Sequence, residues 1–110
     1  MSQIDNNSVL LGEEQGIQAA FIKHMLQQNG WNVTLVSHGE EILEQIKASN
    51  FAFIVIGSLR MPDSVTTIKT VRSIEQEQNT HTPIIAMSPY SVKESLRLIS
   101  LLISSFYNKT

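Results

Sequence analysis

Four short apolar runs, separated by stretches of helical period, constrain the possible folds of this chain more than any other feature. The strongest is 51–56, Phe-Ala-Phe-Ile-Val-Ile, with no polar side chain on either alternating face. A strand of that kind must be covered on both sides, which is the pattern of a parallel sheet between two helical layers. Ser8-Val9-Leu10-Leu11 before Gly12 reads the same way, 31–36 is aromatic and β-branched, and 83–87 is a fourth buried strand.

Between the strands the period changes. Over 16–29, Ile17, Phe21, Ile22, Met25 and Leu26 form the apolar stripe of a first helix, with Gly30 placed as its C-terminal glycine. Ser37-His38-Gly39-Glu40 has capping-box spacing before a second helix with Ile42, Leu43 and Ile46 inward. Met61-Pro62-Asp63-Ser64 opens a third, expected to bury Val65, Ile68, Val71 and Ile74 and to give way to a polar connection over 75–82. Ser91-Val92-Lys93-Glu94 caps a fourth helix bearing Val92, Leu96, Ile99 and Ile103. Alternating strands and helices on short connections predict an α/β domain: a three-layer α/β/α fold with a parallel sheet of four to five strands and right-handed crossovers.

At 110 residues the chain is long enough for one core and is read as a single domain over 1–110. A net charge of −2 provides no basic footprint for nucleic acid, so no direct nucleic-acid contact is expected. The absence of cysteine excludes disulfides, thiolate metal sites and cysteine nucleophiles. No apolar run approaches the ~18 residues of a membrane span, and 1–8 lacks the apolar stretch of a signal peptide. No direct membrane insertion is therefore expected.

Parallel sheets of this kind bind ligands beyond the carboxyl ends of their strands. The residues there are Glu13 and Glu14 after the first strand, Ser58 and then Leu59-Arg60-Met61-Pro62 after the third, and Ser88 after the fourth. Phe106 and Lys109 stand near the chain end. In order and spacing these residues resemble the receiver domains of bacterial response regulators and hybrid kinases. The matching text is Val9-Leu10-Leu11-Gly12-Glu13-Glu14, Gly39-Glu40-Glu41, Arg60-Met61-Pro62 and Pro83-Ile84-Ile85-Ala86-Met87-Ser88, within a stretch of roughly 8–110. The resemblance implies a receiver-like, flavodoxin-like fold. It also implies that Glu13 and Glu14 stand where receivers hold Mg²⁺, Ser58 where they carry the phospho-accepting aspartate, and Ser88 and Lys109 where they contact the phosphoryl group. Phe106 stands at the aromatic switch position.

The departures from that pattern decide the expected function. Ser58 offers Mg²⁺ no carboxylate, and a serine with no adjacent base is a poor nucleophile. None of His24, His38 or His81 lies at a strand end. Glu13 and Glu14 are each one methylene longer than aspartate, which misplaces a metal that needs near-octahedral geometry. Phosphoryl transfer depends on positioning and charge neutralisation, and both are weakened. The expected protein is a non-phosphorylatable pseudo-receiver: not an enzyme, with no metal or other cofactor. Within the family it is similar to the α/β-loop domain of the Rcs phosphorelay phosphotransfer protein. That likeness implies a docking module for the cognate DNA-binding response regulator and for adjacent kinase-like and phosphotransfer domains. It further implies a cytoplasmic domain of a parent anchored in the bacterial inner membrane. The chain stops at Thr110, directly after the matched lysine, so the fifth helix is expected to be missing and the domain to belong to a longer chain. Two rival readings are a working receiver with a non-standard acceptor and a small-anion site at Ser58 and Ser88. The chain has no glycine-rich phosphate loop, which argues against a nucleotide.

Plainer roles compete for the same residues. Glu13 and Glu14 read as two solvated acids favoured by a helix dipole, Asp63 as a helix cap, His24 as a boundary residue and Trp31 as core. The fourth helix is the exception. Leu98, Leu101 and Leu102 add to its stripe and leave Arg97, Ser100 and Ser104 as a narrow polar face. An apolar arc that wide is either buried or docked, which makes Arg97, Leu98 and Leu101 the candidate partner contacts.

Overall fold

The computed structural model describes residues 7–87, so Ser88, Phe106, Lys109 and the whole fourth helix with Arg97, Leu98 and Leu101 lie outside the described residues. Within them the chain runs β1 (Ser8–Gly12), α1 (Gly16–Gln28), β2 (Asn32–Val36), α2 (Gly39–Ala48), β3 (Phe53–Ile56), α3 (Ser64–Gln78) and β4 (Ile84–Ala86). The four strands form one parallel sheet in the order β2-β1-β3-β4, with Leu10 opposite both Thr34 and Ile54, and Ile54 opposite Ile84.

The order explains the layers. From β1 the chain crosses to β2 in one direction, and afterwards both crossovers, β2 to β3 and β3 to β4, run in the other. Crossovers of one hand then put the first helix on one face and the next two on the opposite face. Burial follows this division. Val9, Leu11, Phe53 and Val55 pack with Ile22 and Leu26 of α1, with Trp31 and with Met87. Leu10, Ile54 and Ile56 pack with Ile42 of α2 and Val71 of α3 on the other side. Trp31 is core, meeting Phe53 edge-on with ring centroids 5.0 Å apart. The expected three-layer α/β/α fold with a parallel sheet is the fold observed.

Three helix details differ from the expectation. The buried residues of α1 are Ala19, Ile22 and Leu26, while Ile17 is 89 % exposed and Phe21 57 % exposed. At 3.6 residues per turn, positions 17 and 21 point about 160° away from Ala19, so the small alanine marks the inward face. In α3 the inward line is Thr67, Val71 and Glu75, leaving Val65 63 % exposed. Polar residues can occupy that line because each has partners. Thr67 Oγ1 donates to Pro62 O (3.2 Å), and the Glu75 carboxylate accepts from Arg72 and from the Thr82 N–H (2.7 Å). That anchoring, with the good helix propensity of Glu and Gln, carries α3 to Gln78 through what reads as a connection. Asn79 then ends it in the left-handed conformation. At α2 the cap lies one residue later than expected. His38 is the N-cap, and Glu41 accepts the N–H groups of Ser37 and His38, both at 3.1 Å.

Two stability predictions follow from this packing. Ile54 is fully buried against α2 and α3, whereas Ile85 in β4 is only partly buried. Ile54→Ala should cost about 2–5 kcal/mol in urea melts and Ile85→Ala distinctly less; equal losses would contradict the burial pattern. Asp63 caps α3 through the Thr66 N–H (2.9 Å), and this bond holds its carboxyl below the usual aspartate range. A depressed folded-state pKa stabilises above the unfolded value and is lost as pH falls through the folded one. Asp63→Ala should therefore lower the urea midpoint at neutral pH, with the gap to the parent closing in acid.

Candidate functional site

The crossover from β1 runs one way along the sheet and that from β3 the other, so the loops leaving these neighbouring strands turn to opposite faces and open a crevice between them. Backbone pairing continues past the strand ends and fixes the crevice walls. Gly57 N–H donates to Gly12 O (2.8 Å), Glu14 N–H to Ser58 O (2.9 Å), and Glu13 N–H to Val36 O (3.0 Å). Glu13, Glu14 and Ser58, far apart in sequence, are thereby set side by side.

The two acids do different things, and neither is the solvated residue the sequence suggests. Glu13 is 2 % exposed. Its Oε1 accepts the Ser58 N–H (3.2 Å) and its Oε2 the Gln15 N–H (3.0 Å) at the entrance to α1. Bonds from two backbone donors offset the desolvation that would otherwise oppose burying this carboxylate. The room for it comes from Gly57, where a Cβ would stand 2.0 Å from Glu13 Oε1. Glu14 is mostly covered and pairs through Oε2 with Nε of the largely exposed Arg60.

The segment after β3 is held on all sides. Leu59 is buried with Ile42 near Gly12. The carbonyls of Arg60 and Met61 accept the Gly39 N–H (2.8 Å) and Glu40 N–H (3.2 Å), satisfying the free donors at the start of α2. Gly39 has to be glycine for this contact, since a Cβ there would lie 2.3 Å from Pro62 O. Ser64 Oγ donates to Gly57 O (2.6 Å), tying the start of α3 to the end of β3. Asp63 acts as the expected cap.

The Mg²⁺ implied by the resemblance does not fit this arrangement. Such an ion takes its few protein ligands from carboxylates in near-octahedral geometry. Here both oxygens of Glu13 are engaged by backbone donors, Glu14 is engaged by a guanidinium, and Ser58 is neutral. Among the described residues no three His, Asp or Glu side chains gather as a metal cluster. Of the sequence-derived pocket, Glu13, Glu14 and Ser58 are brought together, while Ser88 and Lys109 lie outside the described residues. Gly57 and Arg60 were missed as participants. The glycine immediately before Ser58 was a usable signal, and Arg60 stood inside a matched motif without an assigned role.

Comparison with known proteins agrees with this geometry. The family described as response regulator receiver domain matches residues 9–109. The hybrid signal transduction histidine kinase M of Dictyostelium discoideum is 32 % identical over 84 residues, covering 73 % of this chain and 4 % of that protein. This chain spans a fifth or less of the curated relatives it matches. Among solved structures, the Francisella response regulator 1452 receiver domain superposes with a TM-score of 0.69 at 26 % identity, covering 92 % of this chain and 99 % of that one. A co-crystal structure from Saccharomyces cerevisiae holds the histidine phosphotransfer protein Ypd1 and the receiver domain of the response regulator Ssk1. It matches with a TM-score of 0.63 at 19 % identity, covering 79 % of this chain and 65 % of that one. With its doubly wound sheet, its acid pair after β1 and this match over almost its whole length, the chain belongs to the response regulator receiver domain family of two-component signalling.

Proposed function

We propose that this domain is a pseudo-receiver that does not accept phosphate and acts as a protein-docking module in a His-Asp phosphorelay. The observation that carries the proposal is the state of the crevice. Ser58 stands at the end of β3 where the family resemblance places the acceptor, and the neighbouring Glu13 carboxylate is already bonded to the N–H groups of Ser58 and Gln15. A neutral side chain beside an engaged acid leaves little to position or neutralise a phosphoryl group.

Docking is supported by two further facts. Ile17 and Phe21, one turn apart on α1, project large apolar side chains into solvent. One matching structure contains a receiver domain together with a histidine phosphotransfer protein. We propose the same class of partner here: phosphotransfer and kinase-like domains of the parent chain, and the cognate DNA-binding response regulator. The likeness to the α/β-loop domain of the Rcs phosphotransfer protein belongs to this proposal. So does a cytoplasmic position beneath an inner-membrane anchor.

Treatment with acetyl phosphate and Mg²⁺, followed by intact-mass spectrometry, tests the chemistry. The mass should remain unchanged; a stoichiometric gain of one phosphoryl group, lost on mutating a strand-end residue, would establish a working receiver instead. Titrating the cognate response regulator into ¹⁵N-labelled domain tests the docking. A transient contact of micromolar strength, about −8 kcal/mol, is expected. Leu101→Ser should weaken it several-fold, because interfaces concentrate their energy in a few apolar anchors. Ser58→Ala should leave it intact, and the reverse result would make the crevice the binding site.

A further inference from the structure

We infer that the Arg60 guanidinium is the resident cation of this crevice, taking over the charge-neutralising role of a divalent ion at the acid pair and keeping such an ion out. The inference deepens the reading of a silent pocket and rests on it for the importance of the site. Its geometry is independent of that reading.

Glu13 and Glu14 bring two negative charges to adjacent positions at the end of β1, and each is compensated by the protein itself. The Glu13 carboxylate lies on two backbone N–H dipoles, one at each oxygen. Glu14 meets Arg60 Nε directly. A cation approaching this pair would have to displace a guanidinium already in ion-pair contact and would gain no carboxylate from Ser58.

The placement of Arg60 begins with its backbone. Its own backbone is held by a parallel bridge to His38 and by the bond from Gly39 N–H to its carbonyl. The guanidinium therefore starts from a fixed Cα beside Glu14. The Arg60 side chain is 73 % exposed. An ion pair so open to water adds little to folding stability. Its effect lies in occupying Glu14 and placing one positive charge beside the acids, and that effect falls on ion binding. Lys23 lines, with Glu13 and Glu14, a cavity between α1 and β2. Among the described residues the side-chain ion pair at these two acids is that of Glu14 with Arg60.

The test is a Mn²⁺ titration of ¹⁵N-labelled domain, read as paramagnetic broadening of the amides of residues 12–15 and 57–60. The parent should show no selective broadening at concentrations that broaden Arg60→Ala. The variant should respond at roughly tenfold lower Mn²⁺, the order expected when one unit charge a few ångström away is removed. Arg60→Lys should behave like the parent, and Glu14→Gln introduced into Arg60→Ala should abolish the broadening. Slow exchange of the Gly39 amide, which donates to the Arg60 carbonyl, reports that each variant is folded around the same loop. Equal broadening of parent and Arg60→Ala would overturn the inference, as would an Arg60→Ala domain that Mn²⁺ leaves unbroadened. A parent that bound Mn²⁺ here yet took no phosphoryl group from acetyl phosphate would remove the resident-cation idea and leave the proposed function standing.

Discussion

A strand that is apolar on both faces has to be covered twice, and β1 and β3 are such strands. Leu10 and Leu11 are neighbours in the chain yet belong to opposite cores, one shared with α2 and α3 and the other with α1. Pairing β1 with β3 at the centre of the sheet makes both helical layers obligatory. It also forces the chain to reverse its winding direction once, because a single direction would cover only one face. The crevice is the geometric remainder of that reversal. Its walls are the continuation of the same two strands, so the packing that stabilises the sheet also sets Glu13 and Glu14 against Ser58.

Beyond the strands, the segment from Gly57 to Ser64 acts as a junction of three elements. It is paired to β1, it supplies carbonyls to the start of α2, and it is stitched to the start of α3. Each of these bonds contributes only about 1 kcal/mol net. Leaving any of these partly covered donors unmade would cost more, which makes the junction cooperative. The Glu14–Arg60 ion pair, with its largely exposed guanidinium, adds little to the junction's stability.

Strand positions were legible because continuous runs such as 53–56 allow no other placement, and the layer order follows from their alternation with helices. Helix orientation was less legible. An apolar arc covering half of α1 does not say which of its edges turns inward, and the deciding residue was Ala19 rather than Phe21. In α3 the buried line includes Thr67 and Glu75, which read as surface until their partners Pro62, Arg72 and Thr82 are in place. At the site, the spacing of strand ends located Glu13, Glu14 and Ser58. That Glu13 turns inward depends on the backbone donors of Gln15 and Ser58 and on the space at Gly57. Contacts across the sheet such as these have no period or motif by which a sequence could announce them.

The close approach of Glu13 to Gly57 makes two distant positions behave as one locus. A side chain at 57 and a carboxylate reaching as far as glutamate at 13 claim the same volume, since a Cβ at 57 would overlap Glu13 Oε1. Within this backbone, a descendant or designed relative can enlarge position 57 only by shortening or redirecting position 13. A carboxylate placed at 58 would likewise stand beside the inward-turned Glu13, whose Oε1 accepts the N–H of residue 58.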